Sequence, residues 1–216
     1  MPTLWTFGDS LTERFNPDLE WSNSYIKWKG YVPKVYGNFV SETIGYELKN
    51  FGKAGSDNYS IFEEFCKSYK NIKDEDIVII GWSHCERFRF VNKENKWVSF
   101  VSNFKNYLNN FDWISENTIN EILINRMNYK YIQEVNNWIS FINLACVDKK
   151  IIHWSTAKDK EALNTHHFCN MERISTETNN LINDAHFSEK GQSELSEELL
   201  KAIQSGDSGV KISRLI

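Results

Sequence analysis

An α/β domain on a mostly parallel sheet is the architecture that the sequence predicts, and three observations carry the prediction. Four short apolar or β-prone runs, near residues 3 to 7, 47 to 51, 76 to 82 and 150 to 154, are separated by segments with helical periodicity. The first run, Trp5-Thr6-Phe7, ends abruptly in Gly8-Asp9-Ser10, which is how α/β folds deliver a reactive side chain at a strand's carboxyl end. The resulting β-α-β-α rhythm implies helices on both sheet faces and a ligand site beyond the strand C-termini.

Each later segment fits that scheme. After Gly55, the residues Ile61, Phe62, Phe65, Cys66 and Tyr69 share one helical face, and Ser60-x-x-Glu63 matches a capping box, so a helix is expected to start just beyond Gly55. Ile132, Val135, Ile139 and Ile142 recur at helical spacing and lead into the strand Lys150-Ile151-Ile152-His153-Trp154. A last helix is marked by Ser188 as N-cap and by the stripe Leu195, Leu199, Ala202 and Ile203. Residues 16 to 38 carry Trp21, Tyr25, Trp28, Tyr31 and Tyr36 with little helical periodicity. Residues 88 to 99 read as a hairpin around Asn92-Lys93-Glu94-Asn95. Both segments follow strands, so their aromatics either pack the loops onto the core or form platforms on the active face.

The chain has 216 residues, 41% hydrophobic, enough for one substantial core. One domain is expected over residues 1–205, with 206–216 as a tail. A formal net charge of -4 and no broad basic stripe argue against a general nucleic-acid binder. No basic segment followed by an apolar one opens the chain, and nowhere do about 18 apolar residues run together. The expectation is a soluble protein with no signal peptide and no membrane partner. Cys66, Cys85, Cys146 and Cys169 are widely spaced, which favours free thiols over a disulfide framework. The oligomeric state is left open.

A serine hydroxyl is a poor nucleophile at neutral pH, so Ser10 needs a general base that an acid orients. His186 competes with His84, His153, His166 and His167, and it alone combines a nearby acid, Asp184, with a position just before a helix start. A second Gly-Asp-Ser, Gly206-Asp207-Ser208, follows the last helix with no strand before it and reads as a decoy in a flexible exit. His166-His167-x-Cys169 lacks a second ligand pair at zinc-like spacing, so no metal is expected.

Four blocks occur in order: Gly8-Asp9-Ser10-Leu11, Asn50-x-x-x-x-Gly55, Gly81-Trp82-Ser83, and Asp184-x-His186. Together they resemble the SGNH, or GDSL, hydrolases. That resemblance implies a flavodoxin-like three-layer α/β/α sandwich, hydrolysis of small acyl or carbohydrate O-acetyl esters, and no cofactor. Carried over, Ser10 matches the nucleophile, His186 the base, Asp184 its orienting acid, and the amides of Ser10 and Gly55 the oxyanion donors. Ser83 stands where the family usually has an asparagine amide, so its hydroxyl is the expected third donor, with a shorter reach. The family's commoner acid spacing would select Asn183; Asp184 is preferred because a carboxylate stabilises an imidazolium by charge. Trp82-Ser83-x-x-Glu86-Arg87 resembles a variant third block of phage-encoded members, which adds a virion-associated location to the cytoplasmic one. Asp9, Trp82, His84 and Arg87 are candidate substrate contacts, Arg87 being alternatively a structural ion-pair partner of Glu86. A weakly active binding or virion-structural module and a lipase-like enzyme are the competing readings.

Overall fold

Every residue of Thr3–Gly8 (β1) and Ile77–Trp82 (β3) is buried, the pattern of strands covered on both faces. In the computed structural model, which describes residues 1–85, 87–91, 97–100, 117, 121, 129–156 and 163–210, these strands form the centre of a five-stranded parallel sheet. Between them in sequence come α1 (Glu20–Lys29), α2 (Tyr36–Ile44), β2 (Glu47–Gly52) and α3 (Asn58–Ser68). After β3 follow an antiparallel hairpin of β4 (Phe88–Val91) and β5 (Trp97–Phe100), then α4 (Tyr129–Ala145), β6 (Lys150–Ser155) and β7 (His166–His167). The chain continues with α5 (Ile174–Glu177) and α6 (Glu189–Ser205).

The sheet order is β2-β1-β3-β6-β7, with every pairing parallel. Counted within the sheet alone this is 2-1-3-4-5, the flavodoxin-like order, with its switch point between β1 and β3. Ser10 therefore leaves the sheet at the place where α/β folds bind ligands.

Alternation along the strands assigns the two covering layers. Trp5, Phe7, Val78, Ile80 and Ile151 face Ile61 and Phe65 of α3 and Val135, Ile139 and Ile142 of α4. Leu4, Ile77, Ile79, Ile152 and Trp154 face Tyr36 and Val40 of α2 and Leu195, Leu199 and Ile203 of α6. The three-layer sandwich expected from the sequence is thus the fold. At the opposite end of the sheet from Ser10, Asp76 accepts hydrogen bonds from the Thr3 amide at 2.8 Å, the Trp5 indole at 2.9 Å and the Lys73 amide at 3.0 Å. Burial pushes this carboxyl up, but the three donors outweigh it and hold it below the usual range.

Local differences from the expectations have physical reasons. Residues 16 to 38 contain α1 and the start of α2. Helix α1 buries only Ser22 and Tyr25, so no apolar stripe advertises it, and Gly30 closes it in the left-handed conformation at φ 77°. Helix α3 is capped by Asp57, three residues before the expected Ser60, and Asp57 Oδ1 accepts from the Ser60 amide at 2.9 Å. Within the expected stripe of α3, Cys66 is exposed. Ser188 caps α6 as anticipated, accepting from the Gly191 amide at 3.1 Å. The second Gly-Asp-Ser is the C-cap of α6, Gly206 having φ 72°. Its Ser208 carbonyl accepts from the His153 amide at 2.9 Å, so residues 206–210 lie along β6 rather than leaving the domain. The hairpin tip around Asn92 and Glu86 lie outside the described residues. No helix among the described residues is long and apolar enough to cross a membrane.

Candidate active site

Three glycines at strand ends make room for the turn that carries Ser10. A Cβ on Gly8 would lie 2.1 Å from Thr12 Oγ1, one on Gly81 3.0 Å from the same atom, and one on Gly52 2.3 Å from the Glu13 amide. With no side chains there, residues 9–13 settle directly onto the ends of β1, β2 and β3. The amides of Thr12 and Glu13 both donate to the Asp9 carbonyl at 3.0 Å, closing the turn. Asn50, from the second block, donates to the Thr12 carbonyl at 2.7 Å and accepts from the Gly52 amide at 2.9 Å. Ser10 sits in this turn, nearly buried at 7% exposure.

The loop before α6 brings the acid and base together. His186 Nδ1 lies 2.6 Å from Asp184 Oδ1, which also accepts the His186 backbone amide at 2.8 Å. A carboxylate only accepts, so Nδ1 carries a proton and Nε2 is the nitrogen left to act as a general base. Asp184, not Asn183, is therefore the residue bonded to this imidazole. Burial raises the Asp184 carboxyl, but the hydrogen bonds and charge of His186 outweigh burial and leave it below the usual range. Trp21 stacks on the imidazole, with ring centres 4.5 Å apart and planes at 29°.

Helix α6 ties this loop to the turn that bears Ser10. In its first turn Gln192 donates from Nε2 to the Leu11 carbonyl at 3.0 Å and accepts the Tyr36 amide on Oε1 at 2.9 Å. Glu13 adds a second link: its carboxylate accepts the Ala54 amide at 3.0 Å and lies close enough to His186 for their charges to interact. Burial raises the Glu13 carboxyl above its ordinary value despite that amide. Gly55 follows, at φ 77°, a conformation that favours glycine, and Lys53 bonds back from its amide to the Gly8 carbonyl at 3.1 Å. Through Gln192 and Glu13 the Asp184–His186 loop is thus linked to the turn bearing Ser10 and to the segment before Gly55, with no hydrogen bond between Ser10 and His186.

The third block departs from expectation. Ser83, only 3% exposed, donates its hydroxyl to Asp9 Oδ2 at 2.8 Å, and its backbone is clamped by Asn58, which accepts the Ser83 amide at 2.7 Å and donates to its carbonyl at 3.1 Å. The hydroxyl expected to meet an oxyanion is committed to a carboxylate. Asp9 and Trp82, candidate substrate contacts, are structural: Asp9 also accepts the Leu11 amide at 3.0 Å, and Trp82 is buried in the core, donating to His153 Nδ1 at 3.1 Å. Arg87 pairs with Asp9 at 2.9 Å; the anticipated partner Glu86 lies outside the described residues. His84 is half-buried, and its carbonyl accepts the Arg87 amide at 3.2 Å, forming the turn that returns Arg87 to the site.

The aromatic segment divides in two. Tyr25 and Tyr36 are fully buried, Trp21 carries His186, and Trp28 and Tyr31 remain exposed. Glu13, Asn58 and Gln192 escaped the sequence reading because each acts through a contact distant in sequence, and Trp21 was read only as part of the aromatic segment. Gln192, four residues after the cap Ser188, lies in a helix that the sequence had marked. Among the described residues no group of three or more His, Cys, Asp or Glu side chains is placed to hold a metal ion.

A groove of about 540 Å³ opens beside Gly8 and Gly52 and is lined by Phe51 and Ile61 as well as by Glu13, Lys53, Ser56 and Arg89, with neither Ser10 nor His186 in its lining.

No protein-family model and no curated protein matches the sequence. Several solved structures do. One superposes with a TM-score of 0.50 at 9% identity, covering 96% of this chain and 99% of that chain. An acetyl xylan esterase from the rumen bacterium Butyrivibrio proteoclasticus is similar at TM-score 0.49 and 11% identity, over 97% of this chain and 65% of that chain. A lipase/acylhydrolase from Enterococcus faecalis is similar at TM-score 0.47 and 13% identity, over 95% of this chain and 96% of that chain. The likeness is one of fold. The chemistry is argued from the residues of this chain.

Proposed function

We propose that the chain is a serine hydrolase of the SGNH type that cleaves small acyl esters. The observation that carries this reading is the 2.6 Å contact between Asp184 and His186 Nδ1, on a loop that Gln192 ties to the turn bearing Ser10. In the reaction, Ser10 Oγ attacks the acyl carbonyl carbon while its proton passes to His186 Nε2, and the carbonyl π electrons move onto oxygen. The Ser10 and Gly55 amides receive that oxyanion. Collapse expels the alcohol, which takes the proton from His186; water then repeats the sequence on the acyl-enzyme and releases the acid. Asp184 holds the imidazole in register and stabilises its cation.

The groove supports a polar alcohol portion, such as an O-acetylated carbohydrate, over a long acyl chain. Its charged and hydroxyl residues, which outnumber Phe51 and Ile61, would hydrogen-bond a sugar. A phage-type, virion-associated origin rests on the third block alone. A second reading, an SGNH-fold binding module with little turnover, is favoured by the commitment of the Ser83 hydroxyl to Asp9. Turnover of p-nitrophenyl acetate distinguishes the two readings. We expect hydrolysis that Ser10→Ala abolishes, labelling of Ser10 by a fluorophosphonate, and rates that fall steeply from acetyl to octanoyl esters. Equal rates for wild type and Ser10→Ala would remove the enzyme reading for this substrate class, and rates rising towards octanoyl would favour a lipase-like enzyme.

A further inference from the structure

The Ser83 amide is held by Asn58 and its hydroxyl by Asp9, yet the turn that follows β3 delivers a cation to the same place. Arg87 Nη1 donates to Asp9 Oδ2 at 2.9 Å and to the Ser56 carbonyl at 3.4 Å. One guanidinium nitrogen therefore spans the residue before the nucleophile and the residue after Gly55, the two segments whose amides would meet the oxyanion. The Arg87 side chain is 13% exposed, and its Nε is buried with no hydrogen-bond partner among the described residues. An unpaired buried N–H is destabilising, a cost that an arriving acceptor would remove.

We propose that Arg87 replaces the missing third-block donor and is a catalytic residue of the oxyanion site. This inference rests on the ester-hydrolase reading. As the bond from Ser10 Oγ to the carbonyl carbon forms and the proton passes to His186, the charge arriving on the carbonyl oxygen is met by a guanidinium that stays protonated throughout. Asp9 balances the guanidinium in the resting state, so the buried cation is never uncompensated, and the Ser83 hydroxyl and Leu11 amide hold Asp9 in place. The Ser83 hydroxyl is thereby a support for the cation's partner rather than a donor to substrate.

Steady-state kinetics on p-nitrophenyl acetate test the assignment. Arg87→Gln and Arg87→Lys should lower kcat by about 10²- to 10³-fold with KM little changed, since a donor that acts only on the developing oxyanion does not bind the ground state. Ser83→Ala should lose less than a tenth as much. In Arg87→Gly, added guanidinium ion at millimolar concentration should restore part of kcat, and urea should not. Should Arg87→Gln fail to fold, the double variant Asp9→Asn/Arg87→Gln, which leaves no charge unpaired, carries the same comparison. Folded Arg87 variants that keep kcat within about threefold, or a larger loss in Ser83→Ala than in Arg87→Gln, would overturn this proposal alone. Absence of Ser10-dependent turnover in the wild type would remove the hydrolase reading and this proposal with it.

Discussion

His186 works as a base only if its proton sits on Nδ1, and at the scale of single residues the Asp184 carboxylate is what enforces that tautomer. Asp184→Asn keeps the shape of the acid, but its amide can present an N–H to Nδ1 and draw the proton to Nε2. We expect kcat on p-nitrophenyl acetate to fall by about 10⁴-fold, with the circular dichroism spectrum unchanged. Asn183→Ala should lose far less, since its side chain is not the one bonded to the imidazole. The residue before Ser10 shows what local sequence leaves out: Asp9, a candidate substrate contact, accepts from Ser83, Arg87 and the Leu11 amide.

Among the elements, helix starts and strand ends decide how the site is presented. Asp57 caps α3 immediately after the Gly55 turn, bonding the Ser60 amide at 2.9 Å and the Ser60 hydroxyl at 3.2 Å. Asp57→Ala should cost about 1 kcal/mol, read as a fall in urea midpoint at constant slope. Gly52 ends β2 against the nucleophile turn, where a Cβ would press on the Glu13 backbone at 2.3 Å. Gly52→Ala should destabilise the protein by roughly 1–3 kcal/mol and also depress kcat, because the turn carrying Ser10 must shift to admit the methyl. A melting curve and a kcat measurement on the same preparation check both effects; full activity would show that the turn does not depend on this packing.

For the molecule as a whole, buried titratable groups set the response to acid. His153 lies inside the sandwich, where burial and the nearby His166 push its imidazole down to about 3. The folded state therefore holds it neutral while the unfolded chain protonates it below about pH 6.5, so unfolding takes up a proton and stability falls as pH drops from there towards 3. The slope approaches about 1.4 kcal/mol per pH unit. Asp76 and Asp184, both held below their ordinary values, add stability above about pH 4 that is lost on further acidification. His153→Asn, with an amide oxygen to accept from Trp82, should flatten the dependence between pH 6.5 and 4.5 in chemical denaturation at a series of pH values. An unchanged slope would mean that His153 is protonated in the fold.

The strands of the sheet except β7, the core helices α3, α4 and α6, and the pairing of Asp184 with His186 were legible in the sequence, since apolar periodicity and two-residue spacing are local properties of a chain. Helix α1 was not, because its inward face is Ser22 and Tyr25 rather than an apolar stripe. The two-residue strand β7 is too short to leave a pattern. Tertiary structure alone decided that Ser83 turns to Asp9, that Arg87 bridges Asp9 and Ser56, and that Trp21 carries the imidazole. Each of those contacts joins residues 31 to 165 positions apart, and their geometry follows from how the strand ends and helix α6 converge. Spacing along a chain can nominate a reactive group, but which hydrogen bond it makes depends on neighbours that only folding supplies.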